Sequence, residues 1–281
     1  MNRTAIPWTD YSWNVVTGCT PISPGCDNCY AQAMAHRFGW PKGVQLHPER
    51  LEEPRHLRKP RRIFVCSMSD LFHEDVPIDF VSQVIDKIWA NPRHTFQLLT
   101  KRPERFPEVF ERYQALRLGV PIRAEYVLPD NLWLGVTAEN QEQADYRIPL
   151  LLQVPAAVRF VSCEPLLGPL DLGPYLFCED CSGQGAIVSM GWGGPDVDEC
   201  ASCKGDRLAR PHLGWAIAGC ESGPGKRPAR VEWFRDLKDQ CQAAGVPFFL
   251  KQMASPVHAF IEHMPELDGQ RWAQFPEASR A

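Results

Sequence analysis

Six times in this chain a short apolar run stops abruptly at a cluster of polar residues, and that repetition limits the possible folds more than any other feature. Ile63–Ser67 leads into Met68-Ser69-Asp70, Phe96–Leu99 into Thr100-Lys101-Arg102, and Leu132–Val136 into Thr137-Ala138-Glu139-Asn140. Arg159–Val161 leads into Ser162-Cys163-Glu164-Pro165, Trp215–Ala218 into Gly219-Cys220-Glu221-Ser222, and Pro247–Leu250 into Lys251-Gln252. Continuous apolar runs suit parallel strands covered on both faces. Polar residues gathered at strand C-termini are where α/β barrels build their sites. A weaker run around Trp8–Trp13 precedes them. Helical patterns fill the gaps. Ile78, Val81, Ile85, Ile88 and Trp89 share one face of a predicted helix over 78–89. Arg230–Ala244 reads as a helix that stops before Gly245, and a third is expected over Cys26–Phe38. The chain has 281 residues, the length of one (β/α) barrel. The expected fold class is therefore α/β, a partial or full (β/α) barrel. A doubly wound open sheet is the alternative.

The chemistry is concentrated near the N-terminus. Cys19, Cys26 and Cys29 are spaced C-x6-C-x2-C in a loop punctuated by Gly18, Pro21, Pro24 and Gly25. Three thiolates can hold three irons of a [4Fe–4S] cluster and leave the fourth iron open to a small molecule. An open iron is what radical chemistry on S-adenosylmethionine (SAM) requires: an electron enters the sulfonium, a C–S bond breaks, and a 5′-deoxyadenosyl radical takes hydrogen from a substrate. The familiar spacing for such loops is C-x3-C-x2-C, so Cys19 stands three residues further out here. A structural zinc on Cys19, Cys26, Cys29 and a histidine such as His36 is the competing reading.

A second metal motif lies further on. Cys178, Cys181, Cys200 and Cys203 form C-x2-C-x18-C-x2-C, within the zinc-ribbon pattern, around a glycine-rich stretch. Such a stretch cannot build a core, and bound zinc would supply the folding energy. Residues 177–210 are expected to form an inserted knob with structural Zn, and 1–176 with 211–281 to form the barrel domain. An auxiliary iron–sulfur cluster is the rival at these four cysteines. Disulfides are disfavoured: the cysteines number eleven, the start lacks an apolar leader, and no run is long enough to span a membrane. A reduced, cytoplasmic setting without membrane contact is expected. The net charge of −4 excludes a chain that is basic throughout. Arg50, Arg55, Arg58, Lys59, Arg61 and Arg62 crowd one segment but are countered by Glu49, Glu52 and Glu53, which favours a solvated face.

Several of these motifs resemble an uncharacterised family. The N-terminal run from Ile6 to Cys19, Cys66–Phe72, Leu99–Pro103, Gly135–Asn140, Ser162–Gly168 and Glu221–Pro224 are similar to phage-encoded and bacterial three-cysteine proteins, labelled a domain of unknown function. The resemblance implies a barrel of the radical-SAM type, a [4Fe–4S] cluster and bound SAM, and it names no substrate.

Site residues follow from their places at strand ends. Ser67, Ser69 and Asp70 are candidates for the SAM ammonium, Lys101 or Arg102 for its carboxylate, and Thr137, Glu139 and Asn140 for the ribose hydroxyls. Cys163, Glu164, Cys220 and Glu221 are left for catalysis, and a cysteine there could donate a hydrogen atom or simply fill the core. Expected partners are an unknown substrate, with nucleic acid as one candidate, an electron donor such as flavodoxin or ferredoxin, and a separate three-Cys-motif partner protein. Two alternatives to the radical-SAM enzyme stand: a zinc-dependent barrel enzyme, and a phage-linked nucleic-acid-binding module whose metal sites are structural.

Overall fold

The structure, a computed structural model, describes residues 1–118, 126–176, 186–191, 194–199, 212–223, 225–254 and 261–277, with only the backbone of 186–191 and 194–199. The strands of the main sheet are β1 (Asn2–Arg3), β2 (Tyr11–Trp13), β3 (Arg62–Val65), β4 (Thr95–Thr100) and β5 (Leu132–Thr137). They continue as β6 (Val158–Cys163), β7 (Trp215–Gly219), β8 (Phe248–Ala254) and β9 (Ile261–His263). The helices are α1 (Tyr30–Phe38), α2 (Ile78–Trp89), α3 (Phe106–Tyr113), α4 (Gln141–Leu152), the single-turn α5 (Gly173–Leu176) and α6 (Val231–Ala244).

The nine strands form one sheet in simple chain order. From β2 to β8 every neighbouring pair is parallel. β1 and β9 add antiparallel edges, and they do not pair with each other. The full barrel is therefore not formed; the sheet stays open. The doubly wound alternative also fails, because that fold needs a reversal in strand order.

Sequential parallel strands with right-handed crossovers place every connecting helix on one face. The side chains show this division. Ile63, Val65, Phe96, Leu98, Leu134, Val136, Val161, Ala216 and Phe248 pack in one cluster with Val81, Ile85, Phe110, Ile148 and Phe234 of the helices. Their alternate neighbours Phe64, Trp133, Phe160, Trp215, Ile217 and Phe249 form a second cluster with no helical member. Alternation along a strand sends successive side chains to opposite faces, so the apolar runs feed two cores.

The helix-free face is covered by the chain ends. Trp8 packs there, and Gln97 Nε2 donates to the Trp8 carbonyl at 3.2 Å. Phe275 covers Trp215, whose indole N–H donates to Gln274 O at 2.9 Å. Each aromatic buried this way contributes roughly 1.5–3 kcal/mol. Three predicted helices are found with altered or matching bounds. The 78–89 helix matches α2, and α6 ends at Gly245 in a left-handed cap. α1 starts later than predicted, because Pro24–Cys26 is a 3-10 turn and Cys29 is the N-cap.

Candidate functional site

A cavity of about 690 Å³ lies at the C-terminal ends of the parallel strands. Its wall continues the helix-free face of the sheet through Phe64, Leu99, Thr137, Ser162 and Lys251. The cysteine loop closes it from the side. Cys19, Cys26 and Cys29 are free, half-buried thiols, and all three line this one cavity. The loop leaves the end of β2, where Val16–Thr17 pairs with Gln45–Leu46 and Gly18 bridges to Ser69. Gly18 has φ +82°, and a Cβ there would meet Gly43 O at 2.1 Å, so only glycine fits.

Three buried carboxylates at strand ends hold this loop. Asp70, after β3, accepts from Phe72 N at 3.0 Å, Thr100 Oγ1 at 2.7 Å and Lys101 N at 3.0 Å. It also stands 3.5 Å from Arg102. Arg102, only 5% exposed, donates to Thr20 O at 3.0 Å and Thr20 Oγ1 at 2.9 Å, and its Nη1 lies 3.6 Å from Cys19 Sγ. His73 completes the grip. Its Nδ1 accepts from Asp75 N at 3.1 Å, so Nε2 carries the proton and donates to Thr20 Oγ1 at 2.8 Å. Burial, then the Arg102 cation, holds the His73 pKa below its usual value and keeps the ring neutral.

Glu139, after β5, is fully buried and paired with Arg147 at 2.9 Å. Its other oxygen accepts from Gly25 N at 3.1 Å. Burial would raise this carboxyl, but Arg147, the Ser23 hydroxyl and Lys101 outweigh it and hold the pKa below the ordinary range. Glu221, after β7, accepts from Asn28 Nδ2 at 2.9 Å and Arg227 N at 2.7 Å, and it pairs with the Arg227 guanidinium. Arg227 in turn donates to Pro24 O at 2.7 Å and Asp27 Oδ2 at 3.1 Å. Thr20, Gly25 and Asn28 of the cysteine loop are thus tied to different strand ends.

These contacts change the roles assigned from sequence. Asp70 and Glu221 line the cavity, but their oxygens are taken up by the loop clamps. Glu139 and Asn140 do not line the cavity; Asn140 caps α4 by accepting from Gln143 N at 3.0 Å. The Ser67 and Ser69 hydroxyls donate to Asn14 Oδ1 and Val16 O. Cys163 faces the helix layer instead of the cavity, because Ser162 takes the inward position, and burial raises its thiol pKa. Cys220 does line the cavity, with its thiol pushed up to about 11 by burial and by Glu164. Lys101, Thr137 and Glu164 also line it, the last paired with Lys251.

Thr20, His73, Arg147, Arg227, Ser162 and Lys251 were missed by sequence reasoning. Ser162 and Lys251 stood at predicted strand ends directly beyond their apolar runs, which was the available signal. The inserted Cys178, Cys181, Cys200 and Cys203 lie outside the described residues.

The donor set, three free thiols that line one cavity, fits an iron–sulfur cluster, in which each thiolate takes its own iron. Burial, and then Asp70, raise the Cys19 thiol pKa; the Arg102 guanidinium beside its Sγ pulls the other way without overcoming them. Among the described residues no helix is long and apolar enough to cross a membrane.

Two solved structures of spore photoproduct lyase mutants are similar in outline. One point mutant aligns with 9% identity and a TM-score of 0.47, covering 89% of this chain and 78% of its own. A double mutant with bound AdoMet and dinucleoside spore photoproduct aligns with 10% identity and a TM-score of 0.45, covering 86% and 75%. Likeness at this level does not carry function from one protein to the other. No curated protein matches the sequence. The family described as protein of unknown function (DUF5131) matches residues 3–276, and the chain belongs to that family.

Proposed function

We propose that the protein is a radical-SAM-type enzyme in which Cys19, Cys26 and Cys29 hold a [4Fe–4S] cluster. The observation that carries this reading is that three free thiols of one loop, with no fourth loop cysteine, all line one cavity at the ends of parallel strands. Such a cluster, when bound, supplies one-electron cleavage of the SAM sulfonium. The chain's own residues do the positioning. Arg102, Glu139 and Glu221 fix the loop so that its thiols are held before any ligand arrives. The Lys101 ammonium is the cation assigned to the SAM carboxylate, and the Thr137 hydroxyl is assigned to a ribose oxygen. Trp8, Phe64 and Leu99 give the cavity one apolar wall. Glu164 with Lys251, and the Cys220 thiol within their electrostatic reach, line the cavity and are assigned to the substrate. An electron donor of the flavodoxin or ferredoxin class supplies the electron. Residues 177–210 form a separate knob whose four cysteines hold one structural zinc, a reading supported by their paired spacing.

The deciding experiment is anaerobic reconstitution with iron and sulfide, followed by incubation with SAM and dithionite. Release of 5′-deoxyadenosine and a change in the cluster's paramagnetic resonance on adding SAM are expected. A colourless protein, or a cluster indifferent to SAM, sinks the reading.

A further inference from the structure

Among the longer helices α1 is the exception. α2, α3, α4 and α6 each bury side chains against the sheet, whereas α1 buries none. Its Tyr30, Met34 and Phe38, and Trp40 beyond its end, are exposed. Phe38 and Trp40 stack with ring centroids 6.0 Å apart and planes 24° apart. The Arg37 guanidinium lies over the Phe38 ring, 5.5 Å from its centroid.

The same segment is one-sided in charge. No Asp or Glu occurs from Asn28 to Pro48, while Arg37 and Lys42 do, in a chain of net charge −4. Trp40, His36 and Lys42 also line the cavity, so this surface is its rim. Inside, each lining acid is already matched by a cation: Asp70 by Arg102, Glu164 by Lys251, Glu221 by Arg227. Lys42 then adds positive charge to the cavity wall.

We propose that this rim binds single-stranded nucleic acid and delivers one unpaired base to the cavity, an inference that rests on the catalytic reading given above. Exposed stacked aromatics offer a platform for base faces, and nearby cations match the phosphates. Apolar contact alone would suit many partners; the absence of acids along the rim selects a polyanion. A cavity of about 690 Å³ is the size of a small-molecule site and admits a base beside a cofactor, not a duplex. The base must therefore be unpaired or turned out of its stack.

The test uses the full-length protein, before and after cluster reconstitution, and a labelled oligothymidine in fluorescence anisotropy. Binding should weaken steeply as salt rises. Phe38→Ala and Trp40→Ala should each weaken it about 5- to 100-fold. Arg37→Ala and Lys42→Ala should each reduce the salt slope by roughly one unit. Since α1 buries no side chain, all four variants should melt as the parent does. Variants that bind like the parent overturn the proposal. So does a protein that binds no oligonucleotide, or a dimer in sedimentation that Trp40→Ala dissolves, which would make the rim a contact for a second copy. If 5′-deoxyadenosine forms but no oligonucleotide binds, this inference falls and the cluster reading stands. If the oligonucleotide binds through α1 and no 5′-deoxyadenosine forms, the rim stands and the cluster reading falls.

Discussion

Arg102 and Glu139 act on the cysteine loop through hydrogen bonds and charge, and each makes a different failure visible. Arg102 bridges Asp70 to Thr20 and Cys19, so Arg102→Gln removes the cation beside the sulfur and loosens that end of the loop. Iodoacetamide should then label Cys19 more slowly in the metal-free protein, because the sulfur loses the cation that favours its thiolate, and reconstitution should yield less iron per chain. Equal labelling rates in parent and variant would remove Arg102 from the positioning set. Glu139→Gln leaves Arg147, 2% exposed, as a buried charge without its partner. Breaking a buried pair in this way costs about 3–5 kcal/mol, readable as a lower urea midpoint. The pH dependence has a definite sign. The folded pKa of Glu139 lies below its unfolded value, so the stabilisation is complete above the ordinary glutamate range. It is lost as pH falls through the folded value. Urea midpoints measured from pH 7 down to about 3 should fall for the parent, with a shallower fall in Glu139→Gln.

At the level of elements, two glycines separate fold from site. A Cβ on Gly135 in β5 would meet the Phe160 ring at 2.5 Å, inside the tightly packed helix-free core. Gly135→Ala should cost about 1–3 kcal/mol by overpacking. A Cβ on Gly25 would meet the Glu139 carboxyl at 2.9 Å, and Arg147 prevents that carboxyl from yielding. Gly25→Ala should therefore shift the loop, lowering iron content while the melting temperature barely moves. Iron content equal to the parent's would show that the loop tolerates the shift. The same elements explain what was legible in the sequence. α2 and α6 were readable because their apolar spacing and, for α6, Gly245 are local signals. α4 was not: Pro149 sits inside it, and its buried face includes Arg147. Strand positions were readable from the apolar runs, but not which residue faces the cavity. A strand buried on both faces has no polar alternation, so Cys163 and Ser162 could not be told apart without the register. The strand-end acids were found, but their partners Arg102, Arg147 and Arg227 set their roles, and those contacts form only in three dimensions.

For the whole molecule, an open sheet wound in one direction leaves its helix-free face to be covered by the chain's own ends, and the cavity is what remains at the strand C-termini. Leu213 N donates to Tyr175 O at 3.0 Å, which ties together the chain on either side of residues 177–211. Between these ends, Ala186–Gly191 and Gly194–Glu199 pair as an antiparallel hairpin flanked by the two cysteine pairs. An insertion whose ends already touch can be shortened with little change in chain-closure entropy, since each doubling of loop length costs only about 0.6 kcal/mol. Replacing residues 177–211 by a short Gly-Ser link should leave the thermal transition of the main domain within a few degrees of the parent. Metal analysis of the shortened protein should show zinc gone and the iron on Cys19, Cys26 and Cys29 retained. Serine at Cys178, Cys181, Cys200 and Cys203 should give the same separation of metals. Loss of iron together with zinc would mean that the inserted cysteines hold an auxiliary cluster. Loss of the main transition would mean that the knob is part of the core and not an addition to it.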